Sequence, residues 1–297
     1  MQLQELNEEK KIEKAVLVGL SCHSFKPEEN SDERTMAELA ALLETAGGEC
    51  VAMTLQNRPA PDARTFIGEG KAEEVKALVD ANEANLVIFD NELSPSQMSN
   101  LEELTGVTVL DRSALILDIF AQRARTGEGK LQVELAQYQY ILPRLSGLGK
   151  SMSRLGGGIG TRGPGESKLE SDRRHIRRRI DKLRADLEQV RAVRAIQRRQ
   201  RQKTEMPLVA IVGYTNAGKS TLLNFLTDAG IEANNRLFDT LDTTTRKKRI
   251  SDTQEILLSD TVGFIRKLPH HLVSAFKATL EELKYADLLL HVIDISD

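Results

Sequence analysis

Apolar and polar positions follow two rhythms over the first 110 residues. Four compact apolar runs have strand length: Ala15–Leu20 (AVLVGL), Cys50–Leu55, Asn85–Asp90 (NLVIFD) and Val107–Leu110. Between them lie segments with helical spacing. In Ser31–Ala46 the apolar positions Met36, Leu39, Leu42 and Leu43 recur every three or four residues, and Gly47-Gly48 ends the run. Lys71–Ala81 and Ser94–Leu104, the latter with Pro95 near its start, repeat the pattern. Strand and helix alternate, which predicts a parallel α/β domain over residues 1–111. A dinucleotide-binding role is not supported, because GLSCHSF after the first strand has one glycine where such a loop needs three. Phe66–Gly70 (FIGEG) superficially resembles a phosphate loop beside Lys71, but no clear strand precedes it. It reads as the loop that opens a helix.

The rhythm changes at residue 112. Leu131, Leu135, Tyr138, Leu142 and Leu145 step by four and three residues, and Ile176, Ile180, Leu183, Leu187 and Val190 do the same. The first set belongs to a long helix over 112–145, with a break expected near Thr126–Gly129. The second belongs to a helix over 169–203. Two apolar seams joined by a loop predict an antiparallel helical hairpin over residues 112–205. Its loop, 146–168, is unusual. Ser146–Gly165 holds 8 of the chain's 20 glycines and carries Lys150, Arg154 and Arg162, with Lys168 just beyond and Glu166 as its first acid. Such a segment has little capacity to build a core of its own. Glycine permits close backbone approach and the cations favour phosphate, so ordering on a large anionic partner is weighed against a plain linker. The second helix opens with Arg173, Arg174, Arg177 and Arg178 and stays arginine-rich to Lys203. Its few acids cannot neutralise it, which points to salt-sensitive contact with a nucleic-acid backbone. Aromatic residues are scarce there, so base stacking is not supported.

From Met206 a third pattern begins, a domain over 206–297. Leu208–Leu222 (LVAIVGYTNAGKSTL) reads as a buried strand, a glycine-gated turn and the start of a helix. Gly213, Gly218, Lys219 and Ser220 satisfy G-x-x-x-x-G-K-[ST], the phosphate-binding loop. Backbone N–H groups and the helix N-terminus would wrap the phosphates, Lys219 would reach the β and γ groups, and Ser220 would complete a Mg²⁺ shell. A strand at Glu255–Ser259 runs into Asp260-Thr261-Val262-Gly263, a D-x-x-G sequence. There Asp260 would hold Mg²⁺ through a water and the Gly263 N–H would sense the γ-phosphate. Between the two lie the threonine-rich Asn235–Thr245 and a strand expected at Lys248–Ser251. A helix at Leu268–Tyr285 and a core strand at Leu288–Asp294 follow. The N/T-K-x-D sequence that reads a guanine base is absent, and the last strand would sit at an apolar sheet edge, so the chain reads as truncated.

Composition sharpens the division. The net charge of −3 conceals 9 basic against 21 acidic residues in 1–110, 22 against 11 in 111–206, and 10 against 12 in 207–297. An acidic head, a basic middle and a near-neutral tail suit separate partners. Two cysteines, Cys22 and Cys50, exclude a disulfide framework or a zinc site. The charged N-terminus and the lack of a long apolar run argue against a signal peptide or membrane span. We expect a monomer of the cytoplasm, of mixed α/β class.

Taken together, GYTNAGKSTL (213–222), FDTLDTTTR (238–246), DTVGFIRKLPHHLVSAFKATLEE (260–282), GEGKLQVELAQ (127–137) and GGIGTRGPGESKLE (157–170) resemble the HflX family of translation-associated GTPases. The resemblance spans essentially the whole chain. It implies GTP as the nucleotide, the large ribosomal subunit and its RNA as partners, and a role in splitting or rescuing ribosomes. The glycine-rich hairpin loop would reach RNA near the peptidyl-transfer region. Carried over by position, Gly213, Tyr214, Thr215, Asn216, Ala217, Gly218, Lys219 and Ser220 contact phosphates. Phe238, Asp239, Thr240, Leu241 and Asp242 form the first switch, and Asp260, Thr261, Val262 and Gly263 the second. Ser220 and Thr240 would ligate Mg²⁺. The family usually has Asp-Pro-Thr where this chain has Asp242-Thr243-Thr244; with three adjacent threonines there, Thr240 is the less secure ligand.

The position after D-x-x-G, where many GTPases keep a water-orienting glutamine, is Phe264. A phenyl ring cannot make that hydrogen bond, so no catalytic base is assigned. Lys219 and Asn216 are the candidates for transition-state stabilisation, the latter through K⁺. His270 and His271 have no carboxylate placed to orient them and read as surface residues. Two function classes remain: a GTP-hydrolysing ribosome factor, and a nucleotide-gated RNA-binding switch in which hydrolysis only resets affinity.

Overall fold

The computed structural model describes residues 12–26, 29–145, 168–202, 206–227, 236–241, 243–268 and 282–295, and it divides into two compact units. The first comprises residues 1–93 and 100–112, the second 94–99 and 113–297.

In the first unit, β1 (Lys14–Cys22), α1 (Glu33–Ala46), β2 (Glu49–Arg58), α2 (Glu69–Ala81), β3 (Leu86–Phe89), α3 (Pro95–Thr105, from Asn100 onward) and β4 (Thr108–Asp111) follow in order. The strands form a parallel sheet in the order β2-β1-β3-β4. Ala15–Leu20 is buried throughout, as an unbroken apolar run demands of a central strand in a parallel sheet. Helix α1 starts where Asp32 caps it: its carboxylate accepts from the Thr35 N–H at 2.8 Å, and the Thr35 hydroxyl accepts from the Asp32 N–H at 3.0 Å. Gly68 precedes α2, so FIGEG is the opening of a helix, as its sequence indicates. Beyond the C-terminal ends of β1 and β3 lies a buried polar knot. Arg112 pairs with Asp90 at 2.7 Å and with Glu38, and the Ser31 hydroxyl donates to Asp90 at 2.7 Å.

The second unit contains α4 (Arg112–Arg123, from its second residue), α5 (Gly127–Ile141), a short 3-10 turn at Leu142–Arg144, and α6 (Lys168–Gln202). The helix expected over 112–145 is broken beside Thr126, where its sequence indicates an interruption, and forms two helices. Thr126 is extended, and its hydroxyl accepts from the Gly129 N–H at 2.9 Å, which starts α5 afresh. Antiparallel pairing of α5 and α6 is direct. Leu145 packs with Ile176 and Ile180 at one end, while Arg194 pairs with Glu128 at 2.8 Å at the other. On α6 the expected seam is buried at Ile176, Ile180, Leu183 and Leu187. On α5 the deepest positions are Val133, Ala136 and Tyr140 rather than Leu131, Leu135 and Tyr138, which are half-buried. Helix α5 is covered on a second stripe, where the Tyr140 hydroxyl lies 3.9 Å from the Met98 sulfur. The glycine-rich stretch 146–167 lies outside the described residues.

The remaining elements are β5 (Leu208–Gly213), α7 (Lys219–Thr227), β6 (Thr244–Arg249), β7 (Glu255–Asp260) and β8 (Leu288–Val292). Their sheet runs β6-β7-β5-β8, with β6 antiparallel to β7 and the rest parallel. Strand β6 begins four residues earlier than its sequence indicates. It pairs along the full length of β7, from Thr244 with Asp260 to Arg249 with Glu255. Polar at every position and lying on the edge, it carries no apolar run to announce it. Strand β8 is the other edge, with Leu288 and Leu289 more than half exposed. The helix expected at 268–285 falls largely outside the described residues, as do His270 and His271.

Candidate nucleotide and metal site

Strand β5 ends in the loop 213–218, at the C-terminal edge of the parallel strands where open α/β sheets bind ligands. Its turn needs two left-handed residues, Asn216 at φ 61° and Gly218 at φ 88°. Glycine takes the second without strain, and asparagine is among the side chains that tolerate the first. Lys219, the first residue of α7, is buried and donates to the Tyr214 carbonyl at 2.6 Å, bridging the loop it would share with phosphate. The Ala217 N–H closes the same turn on Tyr214 at 3.3 Å.

Three oxygens converge beside Lys219. The Ser220 and Thr240 hydroxyls stand 2.9 Å apart, and both reach the Asp260 carboxylate, at 2.6 and 3.1 Å. An octahedral Mg²⁺ with oxygens at 2.0–2.1 Å separates adjacent ligands by about 2.9 Å. The two hydroxyls already have that spacing, and the donor set is all oxygen, so the residues present fit the ion. Burial pushes the Asp260 carboxyl up, opposed by the Ser220 and Thr240 hydroxyls and by Lys219. Burial likewise pushes Lys219 down, opposed by Asp260. The two charges sit in a site that suits them only partly until anion and cation arrive.

The segment after β7, expected to be the second switch, is fastened to the loop after β5. The Thr215 N–H donates to the Phe264 carbonyl at 2.7 Å and the Phe264 N–H to the Gly213 carbonyl at 3.0 Å. Gly263 must be glycine here: a Cβ would fall 2.7 Å from the Thr215 nitrogen and 2.8 Å from the Lys219 amine. Thr261 donates to the Ile211 carbonyl at 2.7 Å, and both it and Val262 are buried. Phe264 is 44% exposed, so its place in the segment is held by its backbone rather than by its side chain.

In the segment expected to be the first switch, Phe238 and Leu241 are buried, Thr240 joins the oxygen cluster, and Asp242 lies outside the described residues. Sequence reasoning did not find two supports of this loop system. The Thr215 hydroxyl accepts from the Phe238 N–H at 2.8 Å, and the Tyr214 hydroxyl accepts from the Arg266 N–H at 2.5 Å. No local pattern signals either, because each joins segments distant in sequence.

On α6, Arg174, Arg177 and Arg178 are exposed and Arg173 is half-buried. Arg179, by contrast, pairs with Glu134 at 2.6 Å. Among the described residues no carboxylate pairs with Arg173, Arg177 or Arg178. Lys168 begins the helix, while Lys150, Arg154 and Arg162 lie outside the described residues. Among the described residues no helix is long and apolar enough to cross a membrane.

Comparison with known proteins gives this geometry its context. Three family models match in series: GTP-binding GTPase N-terminal at residues 33–121, GTP-binding GTPase Middle Region at 123–201, and 50S ribosome-binding GTPase at 208–297. The GTPase HflX of Caldanaerobacter subterraneus is 55% identical over 294 residues, covering 99% of this chain and 67% of its own length. That of Escherichia coli is 50% identical, covering 96% and 66%. The chain thus spans about two thirds of the relatives it matches. A solved GTP-binding protein from Sulfolobus solfataricus in complex with GDP aligns over 95% of this chain and 71% of its own, with 29% identity and a TM-score of 0.51. The chain accordingly binds a guanine nucleotide, and the reaction is hydrolysis of GTP. With the identity running through all three segments, and not through the nucleotide domain alone, the chain belongs to the HflX family of GTPases.

Proposed function

We propose that this GTPase is Mg²⁺-dependent and acts in the cytoplasm on the large ribosomal subunit, using its nucleotide state to control ribosome splitting or rescue. The observation that carries the reading is the arginine-rich face of α6, where Arg174, Arg177 and Arg178 are exposed and Arg173 is half-buried, within one compact unit with the GTP site. Arg177 and Arg178, which pair with no carboxylate among the described residues, suit the phosphates of RNA. The match of residues 208–297 to a family described as 50S ribosome-binding supports the same partner. Three domains, 1–111, 112–205 and 206–297, are the working division. The middle one would carry RNA contact, including Lys150, Arg154, Arg162 and Lys168.

At the nucleotide, Gly213–Ser220 would wrap the phosphates, with Lys219 on the β and γ groups. Ser220 and Thr240 would be the direct Mg²⁺ ligands and Asp260 would hold a metal-bound water. The metal supplies charge neutralisation on the transferring phosphoryl group when bound. Phe264 offers no hydrogen bond to an attacking water, so turnover is slow in isolation and faster on the ribosome. Asn216, left-handed within the loop, is the position from which K⁺ would add positive charge at the transferred phosphoryl group. Substituting Na⁺ for K⁺ should then slow the wild type but not Asn216→Ala.

The deciding experiment is sedimentation of the full-length protein with ribosomes and with large subunits, in GTP, GDP and a non-hydrolysable analogue. GTP-dependent binding, release of free subunits and faster hydrolysis are expected. Binding without splitting would turn the reading into a nucleotide-gated RNA-binding switch. No nucleotide-dependent binding would reject the ribosome as partner.

A further inference from the structure

The hydroxyl of Thr240 can meet Ser220 and Asp260 only if the backbone on either side of it is held. The grip on one side comes from outside the phosphate-loop segment. Phe238 is buried, and its ring meets Phe120 of α4 edge to face, with centroids 4.9 Å apart at 80°. Next to it, the Asp239 carboxylate pairs with Arg123 of α4 at 3.5 Å. Phe120 and Arg123 are three residues apart, hence on one face of the helix, and they engage two successive residues of the loop. Phe238 itself sits at φ 54°, a left-handed conformation that a bulky residue keeps only when its surroundings over-determine it. The surroundings do so: its N–H is bound by Thr215 and its ring by Phe120.

We propose that Phe120 and Arg123 are positioning residues for GTP hydrolysis, holding Phe238 and Asp239 so that Thr240 lies ready at the metal site. Their helix ends three residues before Thr126, where the basic hairpin begins. The α4 clasp therefore favours the triphosphate state, in which the first switch must close on the metal, and leaves the diphosphate state indifferent. Both charged partners are mostly buried, with side-chain exposures of 20% and 10%, so the pair is shielded from screening. The inference rests on Thr240 as a metal ligand.

The test compares the full-length wild type with Arg123→Ala, Arg123→Lys, Phe120→Leu and Thr240→Ala. Affinities for fluorescent GDP and for a non-hydrolysable GTP analogue are measured in saturating Mg²⁺. Amide exchange over residues 237–241 is followed without nucleotide. Arg123→Ala and Phe120→Leu should each weaken the analogue by about three- to tenfold, the range of one ordinary net polar or aromatic contact, and leave GDP unchanged. Exchange should quicken over 237–241, and Arg123→Lys should recover most of the loss. Parallel weakening of both nucleotides, or no change in either, would overturn the clasp. If Phe120→Leu does not fold, the two Arg123 variants decide alone. Thr240→Ala separates the two ideas. An unchanged analogue affinity there removes the metal-ligand reading, whereas a loss there with none at Arg123 and Phe120 removes only the clasp.

Discussion

At the residue scale, Lys219 and Asp260 show how a ligand site is built at the protein's own expense. Each is buried, and burial is the largest influence on each, pushing the amine down and the carboxyl up despite their mutual attraction. The two are buried charges of opposite sign without a direct salt bridge, and replacing such a buried pair by neutral groups of similar shape is often neutral or stabilising. The double variant Lys219→Met/Asp260→Asn should therefore be more stable than the wild type without nucleotide, by about 1–4 kcal/mol at neutral pH, while losing GTP hydrolysis. Thermal unfolding in the absence of Mg²⁺ and nucleotide measures this. The sign with pH follows from Asp260. Its folded value lies above the ordinary 3.8, so the folded state keeps the proton longer and the wild type loses stability as pH rises above 3.8 through that raised value. The stability gap between the two proteins should thus narrow as the pH falls from neutral. Gly263 teaches a different lesson. Its motif predicts a γ-phosphate sensor, whereas the contact with Thr215 and Lys219 shows that glycine is also required for the switch to lie on the loop at all.

Among the elements, the central strands and long helices were legible because their apolar patterns are strong. Helix α1, with its cap, its stripe and its terminal glycine, agrees at every level. The ends and interruptions were less legible. The break between α4 and α5 was legible near Thr126, but its cap, one hydroxyl, was not, and β6 depends on cross-strand pairing with β7. Neither leaves an apolar signature. The buried knot at the start of α4 was invisible for the same reason, since Glu38, Asp90 and Arg112 are remote in sequence. Arg112 is 1% exposed. Arg112→Met would leave two carboxylates without their cation and should destabilise the fold by about 3–5 kcal/mol, read in chemical denaturation. Replacing all three charges by apolar residues should recover much of that loss.

For the whole molecule, charge is the informative property. Twenty-two of the 41 basic residues fall within 111–206, and on α6 a subset faces solvent without carboxylate partners among the described residues. If these contact RNA phosphates, each lost contact should lower the dependence of log affinity on log salt by about 0.7–0.9. Arg177→Glu/Arg178→Glu should therefore weaken ribosome binding and reduce that slope by about 1.5, measured by sedimentation across a salt series. GTP hydrolysis without ribosomes should be unaffected, because among the described residues neither Arg177 nor Arg178 touches the phosphate loop, and both are exposed on α6. A slope unchanged by both substitutions would remove these two side chains from the RNA contact.

Sequence alone determined which chemistry this chain can perform. A glycine-gated loop ending in Lys219-Ser220, and a strand ending in Asp260, have few uses besides a phosphate and its metal, because their spacing follows from the size of the ligand. Sequence also determined the parallel α/β character and the helical hairpin, since both are written in local periodicity. Tertiary structure alone decided how the switches are held. Thr215 anchors Phe238, the Phe264 backbone bridges to the loop, and Phe120 and Arg123 of α4 meet Phe238 and Asp239. These are contacts between segments 20 to more than 100 residues apart, made by common residue types in no repeating pattern. Local propensity carries no trace of them; the folded chain alone brings them within reach.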